Sequence, residues 1–126
     1  MDTVLWIIQA LMAFAFVAAG SMKVISSKEK LLENPRMAWT NDFTPTQLKT
    51  IGGLEVAGGL GLVLPAVLDI LVFLTPLAAI GLTITMIGAA YTHIRRNEMD
   101  ALPINAILGG LVAFIAVGRL FIEPFA

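Results

Sequence analysis

The run from Thr3 to Met22, TVLWIIQALMAFAFVAAGSM, holds no charged residue and a single amide, Gln9. A helix rises ~1.5 Å per residue and the hydrocarbon of a bilayer is about 30 Å thick, so a helix of this length crosses it. Lipid offers the backbone no hydrogen-bond partner, and a helix satisfies its backbone groups internally. Outward from this run the pattern recurs. With the flanking apolar residues the first span covers residues 4–25, and a second covers about 48–68 with one charge, Glu55. A third, about 70–93, follows a tight corner around Pro65 and Asp69 and contains Pro76, which is expected to kink it. A fourth, about 102–122, is entered through Pro103 and carries Arg119 near its far end. The expected fold is all-α: a transmembrane four-helix bundle, one domain over residues 1–126, with a long interfacial first loop at 26–47.

Composition agrees with a chain dissolved in lipid. Of 126 residues, 58% are hydrophobic and 13% charged, and the mean hydropathy is +0.88. Soluble domains carry about 25% charged residues, and a chain this short cannot hide so much apolar surface in its own core. A soluble enzyme domain and a secreted disulfide scaffold are thereby excluded. Eight basic and nine acidic residues give a net charge of -1, which leaves no electrostatic footprint for a nucleic acid. There is no cysteine, and His93 is the only histidine, so thiolate chemistry and a multi-histidine metal site are excluded and no metal is expected. Ala18-Ala19-Gly20-Ser21 mimics a signal-peptidase site, but Met1-Asp2-Thr3 lacks the basic start of a signal peptide; the first span is expected to be retained.

Orientation follows from lysine and arginine. Loops 26–47 and 94–101 share one side and hold Lys28, Lys30, Arg36, Arg95 and Arg96, with Lys49 just inside span two; the opposite side has Asp2, Asp69 and Glu123, with Arg119 as its only basic neighbour. Positive residues stay cytoplasmic. Both termini are therefore expected outside the plasma (inner) membrane, with the two basic loops in the cytoplasm. Within the first loop, Ser27-Lys28-Glu29-Lys30 reads as a capped short helix broken by Asn34-Pro35, and Thr44-Pro45 as the start of the next span. Trp39 and Phe43 suit the headgroup zone, which makes the loop either an interfacial linker or a lid over a pocket.

Ionisable residues within spans are costly and turn to the bundle interior. Lys23, Glu55, His93 and Asn105, one from each span, fall at one depth on the cytoplasmic side. Two readings stand. One is a Lys23–Glu55 ion pair with His93 and Asn105 hydrogen-bonded around it, which fixes helix register. The other is a polar floor under an apolar pocket that binds the head of a lipid-soluble molecule such as a quinone, to which these residue types could also relay protons. A second polar layer comes from Gln9, 14 residues before Lys23, and Arg119, 14 after Asn105. Two heptads return a helix to nearly the same face ~21 Å along its axis, so these two adjoin if spans one and four are neighbours; otherwise Arg119 snorkels outward.

Several of these stretches resemble one family. Phe16-Val17-Ala18-Ala19-Gly20-Ser21-Met22-Lys23 resembles the Gly-x-x-Lys close of the first helix in the DoxX-like family. The glycine-rich stretch from Ile51 to Pro65 around Glu55 is similar to its second helix. Ala89-Ala90-Tyr91-Thr92-His93 with Arg95-Arg96-Asn97-Glu98 resembles the end of its third, and Gly118-Arg119 the close of its fourth. The resemblance implies a small four-helix membrane protein of a family whose members mostly lack an established activity and whose name comes from a subunit of a quinone-reducing oxidoreductase. Lys23, Glu55 and His93 fall on its recurring polar positions.

The expected function is a membrane subunit or binding module without a redox centre, holding a quinone or other lipid-like molecule at Lys23, Glu55, His93 and Asn105. No covalently bound cofactor and no independent catalysis are expected, although a part in a quinone-linked oxidoreductase stays open. The partners expected are the bilayer itself and a membrane protein or a second copy. The alternative is a non-catalytic scaffold or assembly factor that docks partner helices on Gly58 and Gly61, Gly81 and Gly88, and Gly110 and Gly118. A transporter or channel is the least favoured, since the two halves do not repeat.

Overall fold

The computed structural model describes residues 1–125, and these are largely helical with no strand among them. Helix α1 (Asp2–Ile25) leads through a short α2 (Lys28–Leu32) and a 3-10 segment (Pro35–Asp42), here called the strap. Then come α3 (Pro45–Gly61), α4 (Leu64–Leu68), α5 (Leu74–Arg95) and α6 (Leu102–Val117), which runs on into a π-helical turn (Gly118–Ile122). Four helical stretches are long and apolar enough to cross a membrane: Asp2–Ile25, Pro45–Leu68, Leu74–Arg95 and Met99–Ile122.

The starts of the helices follow their local chemistry. Ser27 caps α2 by accepting from the Lys30 N–H at 3.2 Å. Thr44 caps α3 in a reciprocal box with Gln47, and Pro45 occupies the first turn, where a missing N–H costs nothing. Two expectations need correction. Asp69 and Leu71 take left-handed conformations, φ 54° and 49°, so the corner consumes residues 69–73 and α5 starts at Leu74 rather than Ile70. Pro76 consequently lies in the first turn of α5, where its N–H has no intrahelical partner to lose, and it starts the helix instead of kinking it.

Two tight pairs make the bundle: α1 with α3, and α5 with α6. Within the first pair the backbones touch. A Cβ on Gly52 would lie 2.6 Å from the Gly20 carbonyl oxygen, and one on Gly59 2.9 Å from Val17 Cγ2. Close approach through small residues is how helices associate in lipid, where the hydrophobic effect gives no help. The two pairs meet mainly at the Arg119 end, where Gly58 faces Leu82, Gly61 faces Ala78 and Gly118 faces Leu5. The buried core, built around Met12, Phe16, Leu82 and Ile115, seals this junction. At the opposite end the pairs stand apart.

Candidate functional site

The Arg119 end is closely knit, with Arg119 Nη2 left without a hydrogen-bond partner among the described residues. The break between α3 and α4 at Leu62–Val63 interrupts the helical ladder, and buried carbonyls there need donors from elsewhere. Gln9 Nε2 donates to the Leu62 carbonyl at 2.6 Å, and Thr75 Oγ1 donates to the Gly61 carbonyl at 2.9 Å. Gln9 in turn accepts from Arg119 Nε at 2.7 Å, while Arg119 Nη1 reaches Asp2 Oδ1 at 2.7 Å and the Glu123 carbonyl at 3.0 Å. Arg119 is thus buried beside Gln9 and does not snorkel. The fourth helix widens to a π turn here, closed by Glu123 N–H on the Gly118 carbonyl at 2.7 Å. Thr75 and Asp2 were not legible as members of this cluster, since their roles arise from a helix break and a helix start.

At the other end lies a cavity of about 620 Å³, lined by all four spanning helices and by the strap. Lys23, Glu55, His93 and Asn105 all line it. Its apolar walls come from Phe16 and Ala19, Leu54, Met86 and Ala89, and Leu108. Lys23 Nζ stands 2.7 Å from Glu55 Oε1, with both side chains buried, and that oxygen has no other partner among the described residues. The remaining expected contacts differ. His93 Nδ1 pairs with Glu98 Oε1 at 3.0 Å, and Asn105 Nδ2 donates to the Met86 carbonyl at 3.2 Å, so neither bonds to the ion pair. Glu98 reaches His93 because Asn97 turns left-handed at φ 59°, folding the chain back on the end of α5. Asparagine tolerates that conformation, and it was the sequence signal available for this contact.

The strap spans the gap between the helix pairs. Trp39 sits 5.8 Å below Lys23 Nζ and packs edge-on against His93, centroids 6.3 Å apart, and against Phe43 at 5.7 Å. Arg96 Nη1 donates to Asp42 Oδ1 of the strap at 2.7 Å, and its Nε donates to Glu98 Oε2 at 3.1 Å. Among the described residues this Arg96–Asp42 bond is the only hydrogen bond joining the two pairs at the cavity end. Burial favours the neutral acid at Glu98, but hydrogen bonds from His93 and Arg96 outweigh it and hold the carboxyl below its ordinary range.

Of the glycines considered for docking, Gly58, Gly61 and Gly118 are consumed inside the bundle, whereas Gly81, Gly88 and Gly110 meet no atom within 4 Å of an added Cβ. No group of three or more histidine, aspartate or glutamate side chains suited to a metal ion occurs among the described residues.

Four apolar helices around a polar-ended cavity define a small multi-pass membrane bundle. A DoxX-like family model matches residues 7–115, and the chain belongs to that family. It is an integral membrane protein. Neither the curated proteins nor the solved structures offer a match to it.

Proposed function

We propose that the protein is a binding module for a bilayer-dissolved amphipathic molecule, a quinone or another lipid-like compound. The head would rest on Lys23, Glu55, His93 and Asn105, with the tail between the helix pairs. The observation that carries this reading is a cavity of about 620 Å³ between the helices, lined by the Lys23–Glu55 ion pair together with His93 and Asn105. Ligand sites are mostly apolar, with a few convergent polar groups, and lie between the helices of bundles. A pair serving only helix register would be packed over, because protein interiors leave few voids larger than a water molecule. Leu54 and Gly88 on one seam, and Met22 and Ile104 on the other, line the cavity and are themselves exposed on the bundle surface, which favours entry from lipid.

We further propose that both termini lie outside the plasma membrane and that the cavity end faces the cytoplasm. Seven of the eight basic residues, Lys23, Lys28, Lys30, Arg36, Lys49, Arg95 and Arg96, stand at that end.

Native mass spectrometry of the protein released from its own membranes in mild detergent tests the binding reading. A discrete small molecule should accompany the wild type and be lost from Glu55→Gln and from Ala89→Phe, which fills the cavity. Wild-type protein that emerges without a bound molecule, or one retained equally by both variants, would refute the reading.

A further inference from the structure

Each buried or half-buried charge lining the cavity has a counter-charge within 3.1 Å, and we infer that the site selects a molecule whose polar head is uncharged. The inference rests on the ligand reading above and narrows it. Lys23 is countered by Glu55 at 2.7 Å, and Glu98 by Arg96 at 3.1 Å, an arginine just outside the lining that also holds Asp42. The other charged lining residues, Arg36 and Asp100, are exposed and of opposite sign. An anionic or cationic head entering here would be a buried charge without a counter-charge, which is expensive in a medium of low dielectric constant.

The lining offers hydrogen bonds suited to a neutral head instead. Lys23 has ammonium protons beyond the one aimed at Glu55 Oε1, and the second oxygen of that carboxylate, Oε2, has no hydrogen-bond partner among the described residues. Asn105 spends one N–H of its amide on the Met86 carbonyl, and its Oδ1 has no protein partner among the described residues. Donor and acceptors on one floor fit a hydroxyl, carbonyl or amide group. Phe16, Trp39 and Phe43 add flat apolar walls beside it. The same matching disfavours the head of an anionic phospholipid.

Trp39 lines the cavity, whereas Trp6 lies at the opposite end beside Arg119, so Trp6→Phe leaves a reporter at the site alone. This protein, in phosphatidylcholine nanodiscs, is titrated with N-dodecylbenzamide, dodecyl phosphate and dodecylammonium at equal mole fractions in the bilayer. The uncharged probe should bind at least about tenfold more tightly than either ion, a difference of about 1.4 kcal/mol. Glu55→Gln should shift the preference toward dodecyl phosphate and Lys23→Met toward dodecylammonium, because each leaves one charge unmatched. Should a variant fail to fold, the ranking in the Trp6→Phe protein decides. Dodecyl phosphate or dodecylammonium binding as tightly as the benzamide overturns the inference and leaves the ligand site standing. No response of Trp39 to any probe overturns both.

Discussion

Arg119 shows what a single cation inside a spanning helix requires. It is 3% exposed, and lipid offers it nothing. Gln9, Asp2 and the Glu123 carbonyl take three of its hydrogen bonds, and the rings of Trp6 and Phe125 lie 5.5 and 4.1 Å from its guanidinium carbon. Hydrogen bonds to charged groups contribute of the order of 2 kcal/mol. Arg119→Met should therefore lower stability by about that amount, read by thermal unfolding in detergent. Combined with Gln9→Leu, the loss should fall short of the sum of the single losses, because neither partner is then left orphaned. Strict additivity would show that the two residues are not coupled. This contact was legible in the sequence as one spacing of 14 residues on each of two helices. The partner of His93 was not, since it depends on the left-handed turn at Asn97 rather than on helical periodicity.

Among the elements, the strap carries the most consequence. Asp42, Arg96, Glu98 and His93 form a continuous chain of contacts from the strap to the end of α5. The Glu98 carboxyl is held below its ordinary value of 4.5 in the folded protein. A carboxyl with a depressed value contributes stability that is fully present above the ordinary value and is lost as pH falls through the folded one. Acidification below 4.5 should therefore loosen the strap, seen as a change in Trp39 emission in Trp6→Phe protein. Glu98→Gln should already be loosened at neutral pH and show no such transition. An unaltered acid transition in that variant would contradict the latch. The first loop illustrates how far local signals reach. Ser27, Thr44 and Pro45 announced both helix starts, because capping is a matter of three or four neighbouring residues. The start of α5 was misread because hydropathy runs unbroken through Ile70 to Phe73, while the backbone turns there at Asp69 and Leu71.

On the scale of the whole molecule, the bundle is two helix pairs that converge at the Arg119 end and part at the Lys23 end. The four spans and their polar layers were readable because lipid imposes one length and one rule about charge on every crossing. The parting of the pairs was not, because it depends on where Gly58, Gly61 and Gly118 admit Leu82, Ala78 and Leu5. The absence of cysteine makes the proposed orientation simple to test. A cysteine at Glu29→Cys should be protected from a membrane-impermeant maleimide in intact cells, and one at Asp69→Cys should react. The reverse pattern would invert the orientation and set the cavity mouth outside.

The central claim is that the cavity holds one kind of molecule rather than whatever lipid surrounds the bundle. A diazirine-bearing residue introduced at Ala89, which lines the cavity, and separately at Gly110, which faces open space, tests it in native membranes by photolysis and mass analysis of the adducts. The account predicts a discrete adduct at position 89 that is absent from position 110, where bulk phospholipids are captured. The same phospholipid mixture at both positions would contradict it.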